Sequence, residues 1–249
     1  MAIFAALYYV LALIAPIQIP TGVGNLEISF AALIAAVIGI VLGPYLGAAS
    51  AFLGAFLAWV LPPSGGSIYG LPFLLSPPLN AFITGLIFYK KWKYGFVVFA
   101  ALIVAYLFTP PVVPLAENFT VAVAVLTDKI VALLLILPVV MFAKKLSVAK
   151  ASLFYFLLFF IGNMADNMWG TLIFSTPMVY DGIYQFSLDQ VRFFLTVSPL
   201  LYPAVRLIQA AIGMIIAVPL MQALKGTPWL WQRKNVLSPK EESTASDSK

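Results

Sequence analysis

The sequence predicts an all-α, polytopic membrane bundle of about eight transmembrane helices, with both termini in the cytoplasm. Three observations carry this. Of 249 residues, 63% are hydrophobic and 9% charged, and the mean hydropathy is +1.03. A soluble domain is about a quarter charged, so water cannot be the main solvent of this chain. The apolar residues also fall into eight runs with short breaks, and nearly all the basic residues lie in breaks on one side.

The first run, 2–19, lacks a basic start and a small-residue cleavage site, and reads as a membrane helix rather than a signal peptide. Near its cytoplasmic end Ala2 and Ala6 form an A-x-x-x-A pair, a spacing shared by Ala31/Ala35 and Ala32/Ala36. Runs 28–42 and 44–61 would reach about 51 Å if joined, against a hydrocarbon core of ~30 Å. Gly43-Pro44 separates them, where Pro cannot continue a helix without losing a backbone hydrogen bond. Gly39, Gly43 and Gly47, continued by Ser50 and Gly54, give a small-residue spacing that predicts close helix packing.

Run 73–89 carries Asn80 and Thr84, one turn apart. Run 94–109 follows, and run 118–143 contains Asp128 and Lys129. In run 150–176, Asn163, Asp166, Asn167 and Gly170 fall at i, i+3, i+4 and i+7, one stripe of a helix, with Trp169 beside it. Run 198–224 repeats the spacing with Tyr202, Arg206, Gln209 and Gly213. Polar stripes in lipid either join helices or line a cavity.

Orientation follows from charge, because cytoplasmic loops carry excess Lys and Arg. Lys90, Lys91 and Lys93 follow the fourth run, and Lys144, Lys145 and Lys150 the sixth. Lys225, Arg233, Lys234, Lys240 and Lys249 follow the eighth. Of the 14 basic residues only Lys129, Arg192 and Arg206 lie elsewhere. The outer loops are longer: Pro20 to Glu27, Pro62 to Gly70, Pro110 to Asn118 and Pro177 to Val197. Residues 1–235 form the membrane domain, and 236–249, rich in Ser, Glu and Lys, a disordered cytoplasmic tail.

Function classes are narrowed by what is missing. There is no Cys and no His, so no disulfide, no thiolate nucleophile and not the commonest general base or metal ligand. No G-x-x-x-x-G-K-[ST] loop is present. An enzyme, a cofactor and a metal site are not expected. Ionisable residues within a span are functional candidates, and here they are Asp128, Lys129, Asp166 and Arg206. All four lie in the outer half or near mid-depth. They form internal ion pairs, or one polar cavity that opens outward, or both.

The order of features resembles the substrate-binding (S) components of energy-coupling-factor transporters. An Ala-rich first helix ends in Ala15-Pro16-Ile17-Gln18-Ile19-Pro20, followed by an outer loop with Gly22, Gly24 and Glu27. Then come Phe30-Ala31-Ala32-Leu33-Ile34-Ala35-Ala36 and Gly43-Pro44-Tyr45-Leu46-Gly47-Ala48, running into Gly54. Pro77-Pro78-Leu79-Asn80-Ala81-Phe82-Ile83-Thr84-Gly85-Leu86 is similar to the family's fourth helix, and Pro203-Ala204-Val205-Arg206 to an element of its last. The resemblance covers about 1–91 and, more weakly, 150–225. The family usually has about six helices, so 94–143 reads as an extra helix pair, and Asp128 and Lys129 fall in the unmatched part.

The resemblance implies capture of a vitamin-like micronutrient at the cell membrane, with import driven by a separate transmembrane coupling protein and two ATPase subunits. It makes the small-residue face of the first helix, at Ala2 and Ala6, the contact with the coupling protein. Together with the shared depth of the polar stripes, it implies a site lined by Asn80, Asn163, Asp166, Asn167, Trp169, Tyr202 and Arg206. Glu27 and Tyr69 would be loop contacts. A carboxylate and a guanidinium with aromatics nearby suit a small polar or zwitterionic ring compound. The alternative is a self-sufficient, ion-coupled secondary transporter in which Asp128 or Asp166 carries protons or sodium.

Overall fold

The computed structural model describes residues 1–14, 17–21, 24–28, 30–142 and 148–224. In chain order these form α1 (Ala2–Ala12), a hairpin of β1 (Ile17–Thr21) and β2 (Gly24–Ile28), α2 (Phe30–Leu42) and α3 (Pro44–Val60). A 3-10 turn, Leu71–Phe73, leads into α4 (Ser76–Phe88). Then come α5 (Trp92–Tyr106), α6 (Phe119–Phe142), α7 (Val148–Phe174), the single turn α8 (Pro177–Tyr180) and α9 (Leu188–Ala223). Apart from α8, a helix stands at each of the eight expected runs.

Three segments are long and apolar enough to cross a membrane: Leu71–Phe88, Phe119–Met141 and Tyr202–Ala223. Helices α1, α3 and α5, and Leu33–Leu42 of α2, are apolar but shorter. Helix α7 has 27 residues, about 40 Å at ~1.5 Å per residue, and carries Asn163, Asp166 and Asn167 along its length.

Three boundaries differ from expectation. The first helix stops at Ala12 rather than 19, because the chain turns into an antiparallel hairpin that pairs Gln18 with Glu27. The all-helical architecture therefore includes one two-stranded sheet. Alternating β-branched Ile17 and Ile19 around Gln18, with Pro20 after them, favour extended backbone. The outer loop expected over 177–197 is mostly helical, and the last helix starts ten residues early, at Leu188. Ser187 and Gln190 form a capping box: Ser187 Oγ accepts from the Gln190 N–H at 3.3 Å, and Gln190 Oε1 from the Ser187 N–H at 2.8 Å. The tail 236–249 and the basic residues Lys144, Lys145 and those from Lys225 onward lie outside the described residues.

The small residues bring backbones together. Gly43, at φ 83°, makes the turn that only a residue without Cβ adopts freely, and Pro44 starts α3 at its N-terminal position. A Cβ on Gly47 would stand 2.8 Å from Gly39 Cα, and one on Gly85 2.8 Å from Pro44 Cα. One on Gly39 would meet the Ala81 carbonyl. Helices α2, α3 and α4 therefore touch main chain to main chain. On their flank, α1 buries Ala5 and Tyr8 against α3, where a Cβ on Gly54 would meet Tyr8 Cβ at 2.5 Å. Ser50 Oγ donates to the Met1 carbonyl at 2.9 Å.

Helix α7 is the central post, packed by α4, α5, α6 and α9. Every residue from Leu158 to Met168 is buried, so three turns are enclosed around their whole circumference. The pair α5–α6 belongs to the same core, with Phe99, Tyr106, Val125 and Ile136 clustered with Phe159 and Met164.

Candidate functional site

Helix α7 packs against both α4 and α9, and its polar stripe meets that of α4. Asn80 Nδ2 donates to Asn163 Oδ1 at 2.9 Å, and Thr84 Oγ1 donates to Asn80 Oδ1 at 3.1 Å. All three residues are buried. Gly162 makes room for them, since a Cβ there would collide with Thr84 Oγ1 and Asn80 Oδ1.

One turn along α7, the Asp166 carboxylate is buried. The Ser76 hydroxyl at the start of α4 and the Arg206 charge on α9 both favour its charged form. Tyr8 of α1 stands within electrostatic reach of the same carboxylate. Among the described residues the ion pairs are Asp128–Lys129 and Asp189–Arg192. Asp166 and Arg206 attract each other without closing into contact. Instead Arg206 Nη1 donates to Gln209 Oε1, one turn on, at 2.9 Å.

Across from α9, Lys129 of α6 is 1% exposed and paired with its sequence neighbour Asp128 at 3.0 Å. Its ammonium is close enough to Arg206 for the two cations to interact. Two buried charges, Asp166 and Lys129, and two half-buried ones, Asp128 and Arg206, thus lie on three helices within electrostatic reach of one another.

That region keeps hydrogen-bonding capacity in reserve. Asn163 Nδ2, Asn167 Oδ1, Trp169 Nε1 and Arg206 Nε are buried with no protein partner. The great majority of buried polar atoms in proteins are partnered, and an unmade bond costs about 1–3 kcal/mol. Four such atoms lie on the two adjacent helices α7 and α9.

The remaining expected residues are more peripheral. Tyr202, one turn before Arg206, is exposed. Tyr69 is exposed in the loop after α3, where Trp59 Nε1 anchors the loop by donating to the Ser67 carbonyl at 2.7 Å. Tyr184 Oη donates to the Tyr69 carbonyl at 3.1 Å, and the two rings lie 5.3 Å apart. Partial burial and then the neighbouring Tyr69 raise the Tyr184 pKa, which keeps the phenol protonated and able to donate. This contact bridges the loop after α3 to the loop before α9. Glu27 is in β2, which lies against α9, but its side chain is outside the described residues. Ala2 and Ala6 are both exposed, beside buried Ala5.

The structure adds Ser76 and Tyr8 to this region, neither of which the sequence singled out. Ser76 sits just before the Pro77-Pro78 start of α4, and Tyr8 lies in an apolar run with no polar neighbour in register. The chain matches no protein-family model, no curated protein and no solved structure.

Proposed function

We propose that this protein is the solute-capture subunit of an ATP-driven importer of the energy-coupling-factor type, binding a small zwitterionic, vitamin-like compound from outside. The observation that carries this reading is the Asp166–Arg206 arrangement. Two opposite charges interact across α7 and α9, yet the guanidinium keeps Nε unpartnered. Buried charges of this kind cost several kcal/mol each unless they are paired. A solute with a cationic and an anionic group completes both, while Asn163, Asn167 and Trp169 bond its polar edge.

In this reading the chain crosses the membrane eight times, with both termini cytoplasmic. Its eight helices at the expected runs and the one-sided basic loops support that count. The six-helix core of the family is extended by α5 and α6. Transport energy comes from a coupling protein and two ATPases that meet α1 at Ala2 and Ala6, which are exposed among the described residues.

Two measurements test the proposal. Mass spectrometry of compound co-purified with the protein should find a small zwitterion, retained by the parent and lost from Asp166→Asn and Arg206→Gln. Liposomes containing the purified chain alone should bind but not accumulate it. Accumulation driven by a proton or sodium gradient would instead establish a secondary transporter.

A further inference from the structure

We infer that the turn between α4 and α5 binds the headgroup of an anionic phospholipid, with Lys90 and Lys93 as the cations that hold its phosphate. The inference concerns the lipid around the protein and does not depend on what the protein captures.

The place of this turn in the chain sets its surroundings. Leu71–Phe88 is long and apolar enough to cross a membrane, and it ends one residue before the turn. The helix that follows, α5, is apolar as well. A turn between two such helices lies at the level of the lipid headgroups, where aromatic and basic side chains collect. Here Tyr89-Lys90-Lys91-Trp92-Lys93-Tyr94 sets three cations among three aromatic residues, with no acid. Lys90 and Lys93 are exposed, and among the described residues neither is in an ion pair.

Basic charge in a short loop is enough to orient a membrane protein, whatever its exact placement. This turn specifies a placement. Helix α4 ends in a Schellman motif, in which the Lys90 N–H donates to the Ile87 carbonyl at 3.1 Å and the Lys91 N–H to the Leu86 carbonyl at 2.7 Å. The motif holds Lys90 at φ 61°, a conformation that glycine adopts without steric cost and lysine does not. A side chain kept at a position suited to glycine is a side chain in use. The turn is also braced from both neighbouring helices. Tyr89 Oη donates to the Ile40 carbonyl of α2 at 2.8 Å, and Lys91 Nζ lies 5.4 Å from the ring centroid of Tyr45 at the start of α3.

An apolar stripe completes the site. Tyr94, Val97, Ala101 and Val104 are exposed and fall at i, i+3, i+7 and i+10, one line running from the turn along α5. A phosphate at the lysines and an acyl chain on this stripe belong to one molecule, whereas a soluble anion would use the lysines alone.

The test offers the full-length protein, in detergent micelles, palmitoyl-oleoyl phosphatidylglycerol and the matching phosphatidylcholine at equal concentration. Lipid retained through gel filtration is extracted and counted by mass spectrometry. The parent should prefer phosphatidylglycerol by at least a factor of about five, the worth of one lysine beside an anionic headgroup. Lys90→Gly/Lys93→Gln should abolish the preference, yet unfold in phosphatidylcholine micelles at a temperature equal to or above the parent's, because glycine relieves the turn. Lys93→Gln alone leaves the backbone of the turn untouched and should weaken the preference at least twofold. Lys144→Gln/Lys145→Gln, which removes the same charge elsewhere in the chain, should preserve it. No preference in the parent, an unchanged preference in the Lys93 variants, or an equal fall in the Lys144/Lys145 variant overturns the site. Displacement of the bound phosphatidylglycerol by an equal concentration of inorganic phosphate also overturns it, in favour of a soluble anion.

Discussion

Asn80 and Asn163, 83 positions apart in the chain, are joined by one side-chain hydrogen bond of 2.9 Å between α4 and α7. Both are buried, and Asn80 accepts in turn from Thr84. The bond fixes the register of the two polar stripes, so that Ser76 arrives at Asp166 further along the same pair of helices.

Asn80→Ala should lower the stability of the purified protein by roughly 1–3 kcal/mol, because it strands the Asn163 carbonyl oxygen and the Thr84 hydroxyl together. Interhelical hydrogen bonds within membranes average nearer ~0.6 kcal/mol, so the lower end of that range is expected. Chemical denaturation in mixed micelles reads it. Stability equal to the parent contradicts a structural role for the bond.

Gly162→Ala should be far more damaging than Gly170→Ala, although both glycines lie on α7. At Gly162 the new methyl meets Thr84 and Asn80, whereas at Gly170 its nearest neighbour is a Phe73 ring carbon at 3.8 Å. Monodisperse yield by size-exclusion chromatography separates them: near-parent recovery for Gly170→Ala, and severe loss for Gly162→Ala. Equal recovery would mean that α4 and α7 are not packed this closely.

Topology is open to direct measurement, since the chain has no Cys. A Cys at Ser67 should react with a membrane-impermeant maleimide from outside intact cells, and one at Lys91 only after the cells are opened. The reverse pattern at either position refutes eight crossings with cytoplasmic ends.

Coupling should be separable from capture. Ala6→Trp puts an indole on the exposed face of α1, away from buried Ala5 and Tyr8. Uptake requiring ATP should fall to background while solute affinity stays within about twofold, a difference of roughly 0.4 kcal/mol. Normal uptake would move the coupling contact away from this face.

Much of this was legible in the chain because lipid makes hydropathy informative. Each long helix lies on an apolar run, and the Gly43-Pro44 break, the small-residue contacts and the stripe at Asn163, Asp166 and Asn167 follow from spacing. What was not legible depended on local competition or on distance. Ile17–Thr21 is as apolar as a helix end, so hydropathy could not distinguish the strand. The Ser187–Gln190 box was a readable start signal hidden inside a polar-looking loop. Tyr8 and Ser76 reach Asp166 only through tertiary packing, which no period along one helix records. The proximity of Lys129 to Arg206 likewise needs α6 docked on α9.

The glycine contacts among α2, α3 and α4 restrict how this protein can be re-engineered. Where main chain meets main chain there is no layer of side chains to trim or enlarge, so any replacement at Gly39, Gly47 or Gly85 can only add a collision. Under the proposed capture function, a library aimed at a new solute should therefore find almost no survivors at those positions. Its productive diversity should collect on α7 and α9, where side chains rather than backbone define the space. That half can be redrawn, and the other must be inherited whole.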